Sequence, residues 1–121
     1  MSDAQLKYLL KSFTNKVEGV ESAAIVSREG LIVSAILAPG ANEMHIAAMS
    51  AIMLSTCERI LVELAKGELD VTIVQGTSGK FLIMEAGADY ILVAVLSENA
   101  RMDRAFTEMR QIARQITEIV D

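Results

Sequence analysis

A glycine-rich run is the first candidate for chemistry in this chain. The run is Gly76-Thr77-Ser78-Gly79-Lys80. Glycine-rich loops cradle phosphate groups with their backbone N–H groups, and a lysine can neutralise the phosphate charge. A phosphate loop, however, has four residues between its glycines, and its lysine and a hydroxyl residue open a helix. Here the strand-like run Phe81-Leu82-Ile83-Met84 follows the lysine, so we predict a β-hairpin turn at this position.

The single histidine and the single cysteine are the other candidates for catalysis or metal binding. His45 and Cys57 lie twelve positions apart on one predicted helix, roughly 18 Å along its axis, which is too far for a base and its nucleophile. We expect His45 at the surface or in an interface. We expect Cys57 in the core, because reactive thiols need an electropositive and partly exposed setting. Without a cluster of ligands, the sequence predicts no catalytic residue, no metal site and no cofactor.

The composition indicates association with other proteins. The 121 residues are 52% hydrophobic and only 4% aromatic, and their mean hydropathy of +0.38 is high for a soluble monomer. The longest run without a formal charge, Met44 to Cys57, is shorter than the roughly 18 residues that a membrane-spanning helix needs. We therefore predict no membrane span. A large surface buried by association is the explanation that is left.

The net charge and the N-terminal residues limit which partners and which cellular compartment we expect. With a net charge of −5 and cations interleaved with carboxylates, the chain lacks the clustered Lys and Arg that nucleic acid binding requires. The start Met-Ser-Asp-Ala-Gln lacks the basic and apolar regions of a secretory signal, so we expect a cytoplasmic protein. No linker-like segment and no repeat divides the sequence, and residues 1–121 are predicted to form one domain.

Hydrophobic periodicity and turn residues predict eight elements. Ser2 and Gln5 form a capping box ahead of a first helix that runs to Val17. Two apolar runs joined by the turn Arg28-Glu29-Gly30 predict a β-hairpin, with the glycine at positive φ. The predicted strands are 20–27, 31–38, 71–75, 81–86 and 90–96, and the two later helices are 42–66 and 102–120.

This order of elements predicts an α+β fold. Short links between strands favour an antiparallel arrangement, and strands that are apolar on both sides need helices on both faces of the sheet. The strand 71–75 carries polar residues and is placed at an edge, whereas the strand 90–96 is apolar throughout and is placed in the centre. We predict α-β-β-α-β-β-β-α with a five-stranded sheet of order 2-1-5-4-3, the long second helix on one face and the other two helices on the opposite face.

The long helix is apolar on two opposite sides. One side is predicted to dock on the sheet through Ile46, Met49, Met53, Cys57, Ile60, Leu61 and Leu64. The opposite side carries only small or apolar uncharged residues over three turns, namely Ala47, Ala48, Ala51, Ile52 and Ser55. Charged residues return from Glu58 onward. A face of this kind argues for a partner helix or a partner protein.

The whole pattern resembles the Roadblock/dynein light-chain family. The resemblance rests on the element order, the length, the Gly19-Val20 lead into a strand, the turn from Ser27 to Ile32, and the Ala/Met/Ser-rich second helix. It covers essentially the whole chain and implies a profilin/longin-like fold. It also implies partnership with Ras-like small GTPases, with paired long helices as the platform. In the bacterial MglB-type members, the family stimulates GTP hydrolysis.

The resulting functional prediction is a homodimeric, non-enzymatic regulatory or scaffold module for a Ras-like small GTPase. Two copies are expected to align their long helices antiparallel and to pair their edge strands. The predicted interface residues are Glu43, Met44, Ala47, Ala48, Ala51, Ile52, Ser55, Val71, Thr72, Ile73 and Gln75. Two alternatives stay open: a subunit of a heteromeric Roadblock-containing motor or signalling assembly, and a small-ligand sensor domain.

Overall fold

The described residues, 3–121 of a computed structural model, form three helices and five strands. In chain order the elements are α1 (Asp3–Lys16), β1 (Val20–Ser27), β2 (Ile32–Ile36), α2 (Glu43–Glu63), β3 (Thr72–Gln75), β4 (Gly79–Glu85), β5 (Tyr90–Ser97) and α3 (Met102–Val120). Each predicted element is present, with ends within three residues of those predicted. Ser2 of the predicted capping box lies outside the described residues.

The five strands form one antiparallel sheet in the order β2-β1-β5-β4-β3. The central strand β5 pairs with β1 on one side and β4 on the other, so that Ala94 lies opposite both Ala23 and Leu82. β3 pairs only with β4 and forms an edge. The predicted topology is confirmed, including the edge position of β3 and the central position of β5.

Alternate side chains of the sheet enter two separate cores. On one face α1 and α3 cover the sheet, and Phe13, Met109 and Leu92 belong to this core. On the other face α2 covers it, and Leu54 packs with Ile83, Val93 and their neighbours. Successive residues of a strand point to opposite faces, which explains why neighbours such as Leu92 and Val93 belong to different cores. The predicted division of the helices between the two faces is confirmed.

The rotation of α2 about its axis differs from the prediction. Met49, Ile60 and Leu64, which were expected to dock on the sheet, are exposed. The buried residues of α2 are instead Ala47, Ser50 and Leu54. The helix is thus turned by about a quarter turn relative to the predicted face. The prediction placed the largest apolar side chains against the sheet, but a helix that is apolar all round has no single preferred side.

The turn between β1 and β2 explains the observed rotation. Gly30 has a φ of +91°, and a Cβ added to it would lie 3.4 Å from the Cα of Ala48 and 3.7 Å from the Cβ of Ala51. Only small side chains on α2 let the backbone of the turn approach so closely. Part of the small-residue pattern of α2 therefore serves packing within the chain.

Candidate protein-interaction surface

Apolar side chains project into solvent along one side of α2. We call this side the outer face of α2 and define it by Ala48, Met49, Ile52, Ser55 and Ile60, all of which are exposed. Ile52 at its middle is 66% exposed and Met49 is 56% exposed. Residues three or four positions apart are neighbours on a helix, so Ala48, Met49, Ile52 and Ser55 form one continuous row. Ile60 lies further along the helix, beyond the exposed Thr56 and Arg59. Contiguous exposed apolar surface of this kind marks an interaction site.

The predicted helix residues divide into three groups by burial. Glu43 and Met44 lie in the first turn of α2 and are exposed, Met44 at 79%. Ala48, Ile52 and Ser55 lie on the outer face. Ala51 is half-buried beneath the β1–β2 turn.

Ala47 was placed wrongly on the partner side. It is 1% exposed and belongs to the core beneath α2, because the helix is rotated relative to the predicted orientation. It is too buried to contact a partner. The interface role of the other predicted helix residues stays a prediction.

The predicted strand residues lie at the edge formed by β3. Ile73 and Gln75 are exposed on this strand, and Val74 beside them is exposed as well. Val71 precedes the strand and packs against the core of α1 and α3. Thr72 is half-buried, and its hydroxyl is enclosed without a hydrogen-bond partner within residues 3–121. Partner contacts at this edge would therefore use the backbone and the side chains from Ile73 onward.

One arginine ties α2 to two turns, and the sequence analysis did not identify it. The guanidinium of Arg28 donates to both carboxylate oxygens of Glu58 on α2, at 2.9 and 3.2 Å. It also donates to Glu85 at the end of β4 and, at 2.8 Å, to the carbonyl of Ala88. The hydrogen bond with Glu58 is the main cause that raises the pKa of Arg28. We call this group the Arg28 cluster.

The Arg28 cluster could not be read from the sequence. Glu58 lies 30 residues from Arg28 along the chain, and Glu85 and Ala88 lie 57 and 60 residues from it. Only the fold brings these residues together. An arginine two residues before a turn glycine was the one visible signal. Because each of its three guanidinium nitrogens donates to a partner within the chain, the side chain of Arg28 is held in place.

A bay of about 380 Å³ lies between the β1–β2 turn and α2. Ala48, Ala51 and Ile52 form its apolar part, and Glu29 and Ser55 contribute polar groups. We call it the turn bay. It opens onto the outer face of α2, because Ala48, Ile52 and Ser55 belong to both.

The residues first considered for catalysis do not form a site. The backbone N–H of Gly76 donates to the carbonyl of Gly79 at 2.8 Å, and Gln75 pairs with Lys80, so the glycine-rich run is a β-hairpin turn as predicted. His45 is exposed and Cys57 is half-buried, on α2. Within residues 3–121 no three His, Cys, Asp or Glu side chains are grouped to hold a metal ion.

A second cleft, of about 460 Å³, lies at the opposite end of the sheet between the end of α1 and the start of α3. Lys16, Arg101 and Arg104 are among its lining residues. Arg101 pairs with Asp103, and Arg104 donates to the backbone carbonyl of Lys16 at 3.3 Å. Since both guanidinium groups already have partners within the chain, this cleft offers few free donors to a small ligand.

The helix α2 also meets the length and composition of a membrane span. Its most apolar 18 residues have a mean hydropathy of 1.3, and 17% of them are buried. No other helix of residues 3–121 has these properties. In the structure α2 packs on the sheet through Leu54 and is capped by Asn42, whose side chain accepts from the backbone N–H of His45. The expectation that the chain has no membrane span stays a prediction.

Comparison with protein families and solved structures gives a consistent result. The model of the Roadblock/LC7 domain family matches residues 6–97. MglB of Myxococcus xanthus superposes with a TM-score of 0.91 at 11% identity, covering 98% of this chain and 97% of that one. Profilin II of Acanthamoeba castellanii superposes with a TM-score of 0.69 at 14% identity, covering 94% and 98%. At such identities the likeness shows the fold, and the profilin-like fold class is confirmed.

A relative in sequence comes from an archaeon. An uncharacterised protein of Methanocaldococcus jannaschii is 28% identical over 102 residues, which cover 84% of this chain and 89% of that protein. The aligned part is therefore nearly the whole of both chains.

Proposed function

Because the chain belongs to the Roadblock/LC7 family, we propose that it is a homodimeric regulatory or scaffold module that binds a Ras-like small GTPase. The outer face of α2 is the observation that carries this proposal. Ile52 is 66% exposed at the centre of that face, and full burial of such a side chain is favourable by about 1.5–3 kcal/mol. A partner that covers this face would also remove the exposed parts of Met49 and Ile60 from water.

The proposed dimer uses two features of one protomer. The 21 residues of α2 span about 31 Å, which gives two antiparallel helices a long contact. Small residues such as Ala48 permit close approach of the helices. The free edge of β3 supplies unpaired backbone groups, and pairing with the same strand of a second copy would satisfy them.

The GTPase partner is supported by family membership. The resemblance to MglB-type members implies such a partner, and MglB of Myxococcus xanthus shares this fold. Arg28 is engaged by Glu58 and Glu85, so it is not free to enter a GTPase active site as an arginine finger. We propose that any stimulation of hydrolysis acts by positioning the switch residues of the GTPase.

The dimer is tested by light scattering over a dilution series. We expect about twice the 13.1 kDa mass of one chain. Ile52→Asp should yield a monomer at the same concentration, because it places a charge in the middle of the apolar contact. The control is Tyr8→Ser, which changes a side chain that is 70% exposed on α1, on the other face of the sheet. A wild-type chain that stays at 13.1 kDa throughout would contradict the dimer.

The GTPase partnership is tested with purified Ras-like GTPases from the source genome. Binding is measured for the GDP-bound form and for a form loaded with a non-hydrolysable GTP analogue. Turnover of GTP is then measured with and without this protein. Faster turnover identifies an activator, and binding without acceleration identifies a scaffold. If no such GTPase binds in either state, the proposed partner is wrong.

Two other arrangements would change the proposal in part. A heteromeric assembly with a paralogous Roadblock chain would show as subunit exchange when the two chains are mixed. A membrane role for α2 would show as flotation of the protein with liposomes. We propose a cytoplasmic location, for which a recovery of the protein in the soluble fraction after cell lysis is the expected result.

A further inference from the structure

We infer that Lys7 on α1, together with a β-bulge, closes the β2 edge of the sheet to strand addition and leaves only the β3 edge open. The inference deepens the proposed dimer and rests on it for the role of β3. Its consequence is that association through strands stops at two chains instead of continuing into a row of dimers.

The sheet has two edge strands, β2 and β3, and within residues 3–121 each pairs with a neighbour on one side only. The free side of an edge strand presents unpaired N–H and C=O groups to which another strand can add. Charged residues and proline on the strand itself discourage such pairing. Neither β2 nor β3 contains a charged residue or a proline. The two edges therefore differ only in what surrounds them and in their backbone shape.

The first difference is a lysine that reaches from the neighbouring helix to the β2 edge. The ammonium group of Lys7 donates to the backbone carbonyl of Ala35, near the end of β2, at 2.9 Å. Lys7 is exposed, so its charge stays in contact with water. A strand that joined β2 would break this hydrogen bond and enclose the charge, which costs free energy. At the other edge, the charged residue nearest to β3 in sequence is Asp70, and it is already paired with Arg110.

The second difference is the register of the two edge strands. In β2, Ser34 lies opposite Ile25 and Ile32 lies opposite Val26, so Val33 is an extra residue in this strand. A bulge of this kind bends the strand and increases its twist, and a second strand then fits poorly along it. β3 pairs with β4 without a shift from Thr72 to Gln75.

The third difference is the exposure of the edge residues. In β2, Ser34 is buried and the other four residues are half-buried. In β3, by contrast, Ile73, Val74 and Gln75 are exposed. An incoming strand therefore meets an accessible, regular edge at β3 and a partly covered, bulged edge at β2.

This asymmetry decides how far association through the sheet can proceed. Antiparallel pairing of β3 with the same strand of a second copy is isologous, so it consumes this edge in both chains. With β2 closed, the resulting dimer has no open edge. If β2 were open as well, dimers would pair through it and the sheet would continue from one dimer to the next.

The test removes the lysine and measures the mass by light scattering over a dilution series. Lys7→Met removes the charge and the donor but keeps an unbranched apolar side chain. At the highest concentration we expect a mass about twice that of the wild type or more, because two twofold contacts then join the chains. Lys7→Arg keeps a charge and donors and should have the wild-type mass. Lys11→Met is the matched control, since it removes the same charge from an exposed lysine one turn further along α1.

Hydrogen exchange of backbone amides locates the new contact. In Lys7→Met, we expect amides of residues 32–36 to exchange more slowly as the protein concentration rises. In the wild type, only amides of residues 72–75 should respond in this way. If amides of 32–36 in the wild type also gain protection with concentration, the β2 edge is not closed. This measurement on the wild type decides the inference even if Lys7→Met does not fold.

The outcomes separate this inference from the proposed function. If the wild type stays a monomer, the dimer through β3 is wrong, but Lys7→Met should still associate more than Lys11→Met does. If the wild type is a dimer and Lys7→Met has the same mass, the inference is wrong and the dimer stands. Equal gains in mass for Lys7→Met and Lys11→Met would also overturn the inference, because they would show a general effect of lost charge.

Discussion

Removal of the Arg28 side chain should destabilise the protein far more than removal of an ordinary surface arginine. Arg28→Ala abolishes four hydrogen bonds that join the β1–β2 turn, α2 and the end of β4. It also leaves the carboxylates of Glu58 and Glu85 close together without the positive charge that balances their repulsion. We therefore expect a loss of fold stability together with a looser attachment of α2.

The size of the effect follows from the exposure of the groups. The side chains of Arg28 and Glu58 are 30% and 33% exposed. Hydrogen bonds to charged groups contribute about 1.5–3 kcal/mol when buried, and exposed ion pairs about 0.2–1 kcal/mol. For this partly exposed cluster we expect a loss of about 2 kcal/mol in the free energy of unfolding. In a domain of this size that corresponds to a fall in Tm of roughly 8 °C.

The assay is thermal and urea unfolding followed by circular dichroism, with the protein concentration held constant because association also stabilises the fold. Arg101→Ala is the control, since the ion pair of Arg101 with Asp103 is largely exposed, and its Tm should stay within error of the wild type. Arg28→Lys keeps the charge but not the fork of donors, so it should recover less than half of the loss. If Arg28→Ala lowers the Tm no more than Arg101→Ala does, the cluster does not hold α2 in place.

Three further predictions concern the fold. Gly79→Ala should destabilise the protein by about 1–3 kcal/mol, because its Cβ would lie 2.5 Å from a carbonyl oxygen of β5, whereas Gly76→Ala in the same hairpin has 3.6 Å of clearance and should be tolerated. Urea unfolding of both variants checks this, and equal losses would contradict it. Leu54→Ala should cost about 2–5 kcal/mol in the same assay, since Leu54 is 1% exposed, and a loss below 1 kcal/mol would mean that α2 is not anchored there. The guanidinium of Arg110 on α3 donates to both carboxylate oxygens of Asp70, at 2.6 and 2.8 Å. Asp70→Asn should lower the Tm slightly at pH 7, because this hydrogen bonding lowers the pKa of Asp70 in the folded state. This contribution to stability is present above the ordinary carboxyl pKa and is lost as the pH falls through the lower pKa of the folded state. The Tm of Asp70→Asn and the Tm of the wild type should therefore converge as the pH falls. A difference that grows in acid would contradict the prediction.

The sequence determined the elements and their order because each one carries a strong local signal. In α3, residues such as Met109, Ile112 and Ile116 repeat at helical spacing with charges confined to the other side, and all three are buried. The polar residues of β3 and the wholly apolar run of β5 placed these strands at the edge and in the centre, as the sheet order confirms. An apolar second helix with an uncovered side was likewise visible in the sequence.

Only the tertiary structure decided which side of α2 is uncovered and what lies beside it. Hydrophobicity cannot orient a helix that is apolar all round, and the docked side is chosen by shape. The backbone at Gly30 comes close to Ala48 and Ala51, and on α2 the small residue Ala47 is buried while Met49 and Ile52 are exposed. The contacts of Arg28 with Glu58 and Glu85 have no counterpart in the local sequence, because they join segments that meet only in the folded chain.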